Sequence, residues 1–226
     1  MSDIGEALTV NRYPGRVLVL ARTGDGELTG VYALTGRSPS SKARRIVPGD
    51  AELRVEATGE HAHDRLRHYT AAHSDDRWTV FGNGEQVTTV FERLSAGAHP
   101  AVALDELDYE PDPPIWTPRI TVVVDRRDGT AWLGAARRGG GRRESTDVTV
   151  TTLRDLAVGD VALLTTYTSD GTEVTTAPRV LDLTTTAATG DELLDLVWSA
   201  LDPEFRVAAA QLSPRAGIAA VLRHAP

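Results

Sequence analysis

From residue 16 the chain runs as short apolar stretches separated by turn-forming residues, and most of the stretches are of strand length. Residues 16–21 and 29–35 flank Thr23-Gly24-Asp25-Gly26, so residues 14–36 predict a β-hairpin. Further strands are expected over 45–47, stopped by Pro48-Gly49-Asp50, and over 52–57 and 77–81. Others are expected over 119–124, 130–136, 147–152, 161–167, 180–184 and 216–222. Residues 63–73 fit either a helix or a surface strand and loop, and 205–212 is equally ambiguous. Two segments change period. Val90, Phe91 and Leu94 lie at helical spacing and predict a helix over 86–96. Leu193, Leu194, Val197, Trp198 and Leu201 form an apolar stripe that predicts another over 191–201. Residues 102–107 continue the first helical pattern, with Asp105, Glu106 and Asp108 outside.

Asp112-Pro113-Pro114 fits neither a helix interior nor a central strand. Asn83-Gly84, Asp125 to Gly129 and Ser169-Asp170-Gly171 are turns, and 137–143 is a Gly/Arg-rich loop. Several hairpins and two or three helices imply an α+β, layered sheet-and-helix fold. No segment has the composition of an interdomain linker, so residues 1–226 are read as a single domain.

Composition narrows the function classes. The 226 residues can bury a substantial core, and 41% hydrophobic with 25% charged residues is ordinary for a globular chain. There is no cysteine, which removes disulfides, thiolate metal sites and a cysteine nucleophile. The N-terminal MSDIGEALTV lacks a basic segment followed by an apolar one, and no apolar run approaches the roughly 20 residues of a bilayer span. A cytoplasmic protein without a membrane partner is expected. The formal charge of -8 argues against a nucleic-acid partner, since phosphate contacts dominate such binding. Of the 24 basic residues, only Lys42 is lysine, so anion contacts fall to the planar arginine fork.

Familiar motifs are missing. There is no G-x-x-x-x-G-K-[ST] phosphate loop and no G-x-S-x-G nucleophile elbow, and Gly139-Gly140-Gly141 opens no dinucleotide-binding helix. His61, His63 and Asp64, with His68 and His73 nearby, raise a zinc site, but read more simply as a solvated polar segment, so no metal is expected.

Three strings carry chemistry. The first is Tyr13-Pro14-Gly15-Arg16 with Gly36-Arg37-Ser38-Pro39-Ser40-Ser41-Lys42-Ala43-Arg44. The second is Phe81-Gly82-Asn83-Gly84-Glu85-Gln86-Val87-Thr88, and the third runs from Asp108-Tyr109-Glu110 through Asp112-Pro113-Pro114-Ile115-Trp116-Thr117-Pro118 to Arg119-Ile120. In this order they resemble the archaeal-type inosine monophosphate cyclohydrolases and their bacterial relatives, over about residues 11–124. The resemblance implies a four-layer αββα sandwich like the N-terminal-nucleophile hydrolase fold, without use of an N-terminal nucleophile. It implies closure of the purine ring of a formamido-imidazole-carboxamide ribonucleotide with loss of water, and no organic cofactor. It also implies a purine nucleotide as the partner and self-association into homo-oligomers.

The residue chemistry is compatible. Arg37, Lys42, Arg44 and Arg45 put positive charge beside the hydroxyls of Ser38, Ser40 and Ser41 in a basic loop suited to a phosphate. Arg16, Asn83 and Tyr167 join Arg37, Ser38, Lys42 and Arg44 as expected substrate-binding residues. Glu85, Tyr109, Glu110 and Arg119 are the expected catalytic ones. Tyr109 and Glu110 would manage protons, and Arg119 would face developing negative charge on the formyl oxygen. Ring closure within one molecule needs little beyond orientation and proton transfer.

The C-terminal half departs from the family pattern. Its Gly-Glu-Gly-His-Phe string has Val158-Gly159-Asp160-Val161-Ala162 as counterpart, although Tyr167 and the turn after it are kept. If the lost histidine shapes the base pocket, specificity changes with it. Three functions stay open: a cyclohydrolase, a diverged nucleoside-metabolising enzyme on the same scaffold, or a non-catalytic nucleotide-binding protein.

Overall fold

The computed structural model describes residues 2–58, 68–140 and 143–225. Two large antiparallel sheets dominate it. In chain order the elements are α1 (Ile4–Val10), β1 (Arg16–Arg22), β2 (Leu28–Thr35), α2 (Pro39–Lys42), β3 (Arg44–Pro48), β4 (Glu52–Ala57), β5 (Tyr69–Ser74) and β6 (Trp78–Gly82). They continue as α3 (Gln86–Ser95), α4 (Pro100–Asp105), β7 (Arg119–Asp125), β8 (Ala131–Arg138), β9 (Thr146–Leu153) and β10 (Asp160–Thr165). The last are β11 (Thr168–Ser169), β12 (Val174–Thr175), β13 (Leu181–Thr184), α5 (Gly190–Ala200), β14 (Arg206–Ser213) and β15 (Gly217–His224). A six-stranded sheet has the order β13-β10-β1-β2-β14-β15, and a seven-stranded meander runs from β3 to β9 in sequence order. Strands β11 and β12 form a separate two-stranded ribbon.

Alternation along each strand sorts its side chains into different cores. Leu18 and Leu20 of β1, Tyr32 and Leu34 of β2 and Ala162 and Leu164 of β10 share one cluster with Phe81, Ile120, Val122 and Leu133 of the other sheet. Their neighbours Val17, Val19, Val31, Ala33, Val161 and Leu163 point the other way, onto Ile4 and Leu8 of α1 and Leu193, Leu194 and Val197 of α5. In the second sheet Val80, Val123 and Trp132 meet Val87, Val90 and Leu94 of α3 and Leu104 of α4. Both faces of the central strands are therefore covered, which is why their sequences read as unbroken apolar runs.

The expectation of a mixed fold with several sheets and helices holds. Helices α3 and α5 and the first hairpin fall close to their expected bounds. Elsewhere the structure differs. Residues 4–10, for which the apolar pattern predicts no element, form α1, because Asp3 Oδ1 accepts from Gly5 N–H at 2.7 Å and Ile4 and Leu8 are buried. The basic loop contains α2, with Ser38 as its cap in a reciprocal capping box and Pro39 in its first turn. The ambiguous segments resolve as strands. Residues 206–213 form β14 between β2 and β15, and 69–74 form β5, where His73 stacks on Phe91 at 3.8 Å. His61, His63 and Asp64 lie outside the described residues, as do Gly141 and Arg142 of the Gly/Arg loop. No helix among the described residues is long and apolar enough to cross a membrane.

Phe81 is fully buried in the cluster that joins the sheets, with its ring over the Cβ-less face of Gly30. Phe81→Ala is expected to cost ~3–5 kcal/mol, the range for a large aromatic removed from a packed core, read as a lower urea midpoint at unchanged slope.

Candidate active site

Strand ends from both sheets converge on one cleft. Arg16 opens β1, Arg44 opens β3, Glu110 and Thr117 lie on the segment leading into β7, and Tyr167 follows β10. The cleft encloses about 420 Å³. One wall carries Arg37, Ser38, Ser40, Ser41 and Arg44, the other Glu110, Asp112, Ile115 and Thr117, with Tyr13, Arg16 and Tyr167 between them. Gly15 makes the junction possible. Its φ is 73°, and a Cβ there would stand 2.1 Å from Thr166 Oγ1 and 2.6 Å from the Tyr167 ring.

The charges are unevenly matched. Arg16 and Arg44 are buried, at 8% and 6% exposure, and among the described residues neither forms an ion pair. Arg44 is held rigidly, donating to the carbonyls of Ser41 at 2.8 Å and Thr35 at 3.0 Å. Burial and then repulsion from Arg16 lower its pKa. Burial also opposes the Arg16 cation, but the phenol of Tyr69 and the carboxyl of Glu110 outweigh it and raise its pKa. Both groups stay charged at any physiological pH. Arg16 Nε reaches the Tyr69 hydroxyl at 3.4 Å, and that hydroxyl pairs with Tyr32 Oη at 2.6 Å. Arg37 lies exposed at the rim, 4.6 Å from the Tyr13 ring centroid, and donates to the Thr172 carbonyl at 3.0 Å.

Glu110 is the buried acid facing these cations. Its backbone N–H donates to Thr117 O at 2.8 Å, and its Oε1 accepts from Asn83 Nδ2 at 3.3 Å. Desolvation raises its pKa to about 7, against the pull of Arg16 and with help from Asp112. Asn83 is saturated: it donates to Glu110 and to Pro118 O, and accepts from Ile120 N–H and Gln86 Nε2. It therefore orients the acid and has no free hydrogen-bonding capacity for a ligand.

The other expected residues are not all gathered here. Glu85 pairs with Arg119 at 3.0 Å, and neither lines the cleft. Tyr109 points away from its neighbour Glu110, donates to Glu144 O at 2.9 Å and meets Trp116 edge-on. Lys42 is exposed and outside the lining, while Arg16, Arg37, Ser38, Arg44, Glu110 and Tyr167 are in it. Sequence reasoning missed Asp112, Thr117, Tyr69 and Tyr32. The first two lie five residues apart in a quoted string, but nothing in their spacing announces a pair. Tyr69 comes from a distant strand and carries no local signal.

Asp112 and Thr117 close a tight loop. Thr117 donates its N–H to Asp112 Oδ1 at 2.6 Å and its hydroxyl to Oδ2 at 2.5 Å, and its oxygen also meets Tyr167 Oη at 2.6 Å. Trp116, at a φ of 52°, turns the chain so that both donors face back. That conformation is strained for a bulky residue. Arg138, 4.8 Å from the Trp116 ring centroid, and Tyr109 hold it.

A family model described as IMP cyclohydrolase-like protein matches residues 13–217, which includes every residue of the cleft. The chain belongs to this family. An IMP cyclohydrolase from Methanopyrus kandleri is 32% identical over 126 residues, 54% of this chain and 62% of that protein. One from Natronomonas pharaonis is 36% identical over 134 residues, 56% of this chain and 64% of its own. One from Methanocaldococcus jannaschii is 28% identical over 119 residues, 51% and 58% respectively. The matched stretches thus span less than two thirds of these relatives' length. Gly159 and Asp160, in the segment that departs from the family pattern, sit at the opposite end of β10 from Tyr167. At the rise of a strand that is roughly 20 Å away, and neither residue is among those that line the cleft.

Gly15→Ala is expected to displace Tyr167 and to destabilise the fold by ~1–3 kcal/mol, through the positive φ and the contact with Thr166. Thermal unfolding and loss of the Tyr13–Tyr167 contact in spectra of the variant would check it.

Proposed function

We propose that this chain closes the purine ring of a formamido-imidazole-carboxamide ribonucleotide, forming inosine monophosphate and water. The observation that carries this reading is a pair of buried guanidiniums that form no ion pair among the described residues, facing a buried acid whose pKa is raised to about 7. A phosphate dianion supplies the missing charge beside Arg37, Arg44 and the serine hydroxyls, as bidentate contacts favour. The heterocycle then extends toward Arg16, Glu110 and Tyr167. The family membership and the relatives' names support the reaction, and no cofactor takes part in it.

Glu110 is the proton carrier. As a carboxylate it takes a proton from the carboxamide nitrogen while that nitrogen attacks the formyl carbon. As an acid it returns the proton to the formyl oxygen. The bond to that oxygen then breaks and the formamide nitrogen gives up its own proton, so two hydrogens and one oxygen leave as water. Both reacting groups sit in one molecule, so the cleft contributes orientation and a carboxyl poised near neutrality. Arg16, lying beside Glu110, opposes negative charge on the formyl oxygen.

The finer fold expectation, a four-layer αββα sandwich of the N-terminal-nucleophile hydrolase kind, belongs to this proposal. The separation of the three cores supports it. So does the reading of residues 1–226 as a single domain, since the six-stranded sheet draws on both halves of the chain. A cytoplasmic setting and the absence of a nucleic-acid partner are part of the same proposal, supported by the cysteine-free composition and the charge of -8.

Purified protein mixed with the formylated ribonucleotide is expected to generate the purine chromophore. Glu110→Gln should lower kcat by ~10²–10⁴-fold. Arg37→Ala, at an exposed rim position, should raise KM by ~10–100-fold with little change in kcat, the value of a charge-assisted hydrogen bond. Binding of the nucleotide without turnover by the unaltered chain would overturn the catalytic reading.

Activity should depend on pH. Below about 7 Glu110 is protonated in the folded chain, so kcat/KM is expected to rise as pH increases through that value. Stability moves the other way. Between the usual glutamate pKa of 4.5 and about 7 the folded chain holds a proton that the unfolded chain has released, so stability falls as pH rises through this window. Glu110→Gln should remove that slope and stabilise the fold by about 3 kcal/mol at pH 8, measured by urea unfolding.

A further inference from the structure

The chain from Asp112 through Thr117 to Tyr167 contains fewer protons than its geometry first suggests. Asp112 Oδ1 and Oδ2 accept from the Thr117 N–H and hydroxyl at 2.6 and 2.5 Å, which is the pattern of an ionised carboxylate. Thr117 has one hydroxyl proton, and Asp112 has none to offer, so that proton lies between them. The contact between Thr117 Oγ1 and Tyr167 Oη at 2.6 Å still needs a proton, and the phenol alone can provide it. The Tyr167 hydroxyl makes no other hydrogen bond among the described residues, and Tyr167 lines the cleft.

We propose that Thr117 and Asp112 set the polarity of Tyr167, so that its oxygen turns only lone pairs toward the cleft and accepts a hydrogen bond from an O–H or N–H of the substrate. This rests on the nucleotide reading above and goes beyond it by assigning Thr117 and Asp112 as positioning residues. Tyr167 then serves as a selector for a donor and supplies no proton to the reaction. Two substrate groups meet the requirement, a ribose hydroxyl and a base N–H.

Asp112→Asn makes the polarity testable. The Thr117 backbone N–H can only donate, so the amide oxygen of the variant must face it. The amide NH₂ then faces Thr117 Oγ1 and donates to it. The threonine proton swings toward Tyr167, and the phenol proton is released into the cleft. The substitution changes a charge but hardly any volume.

The first measurement is the Tyr167 hydroxyl proton by NMR in the ligand-free chain, assigned by its absence in Tyr167→Phe. It is expected to exchange slowly in the unaltered protein and in Thr117→Ser, and to vanish by fast exchange in Thr117→Val and Asp112→Asn. Persistence of the signal in Asp112→Asn overturns the proposal. The second is calorimetric binding of inosine 5′-monophosphate and its 2′-deoxy, 3′-deoxy and N1-methyl forms. One of the three is expected to bind about 3- to 10-fold more weakly than the parent, as for one lost hydrogen bond, and that difference should disappear in Tyr167→Phe. A deoxy form marks a sugar hydroxyl as the partner and the N1-methyl form marks the base. Discrimination unchanged in Tyr167→Phe overturns the proposal. If the parent nucleotide fails to bind the unaltered chain, the cyclohydrolase reading falls, while the hydroxyl-proton result still decides the polarity.

Discussion

Two guanidiniums buried in one cleft, without an ion-pair partner among the described residues, set the terms for the rest of this molecule. Removing a cation from water costs several kcal/mol unless other groups replace the lost hydration. Arg44 recovers part of that through two backbone carbonyls, and Arg16 through the phenol of Tyr69. Neither contact brings a negative charge. The fold holds a site that is electrostatically incomplete by itself, and the inter-sheet core must be stable enough to carry it. Leu18, Tyr32, Phe81 and Ile120, all fully buried, are part of the apolar mass that does so.

The acid across the cleft obeys the same constraint from the other side. With full hydration Glu110 would be ionised near neutrality and would partly balance Arg16. Desolvation keeps its pKa near 7 instead. Asn83, itself saturated, fixes the direction of the carboxyl, and Gln86 fixes Asn83. A carboxyl that neither belongs fully to the cations nor escapes to water is suited to passing a proton back and forth. The arrangement trades stability for chemistry at one residue.

How much of this was legible in the sequence differs by element. The first hairpin and helices α3 and α5 were plain, because their apolar periods were undisturbed and their turns carried Gly and Asp. Helix α2 was missed although Ser38 and Pro39 form a proper start signal, since charge and hydroxyls drew the reading toward a loop. Helix α1 is too short for a period to register. In the site, Arg16, Arg37, Ser38, Arg44, Glu110 and Tyr167 do line one cleft. Tyr109 does not, because residues adjacent along an extended segment face opposite ways, and the pairing of Tyr109 with Glu110 held only along the chain. Thr117 and Asp112 become visible only when Trp116 is seen to turn the backbone. The order of the strings carries the family resemblance, and the fold decides which side chain of each string turns inward.

The site lies where the ends of strands from different sheets meet. Arg16 and Tyr167 travel with the six-stranded sheet, whereas Arg44, Glu110 and Thr117 travel with the seven-stranded one. An anionic ligand seated among them is thus a further crossbar between two slabs whose mostly apolar seam is already bridged by the Tyr32–Tyr69, Arg16–Tyr69 and Arg44–Thr35 hydrogen bonds. Apolar contact resists separation well but resists sliding poorly, because it has no preferred direction. The directional bonds at the cleft oppose that sliding. A nucleotide here would therefore add its own directional bonds to those that already oppose shear of the two sheets, the kind of small sliding that packed layers undergo elsewhere.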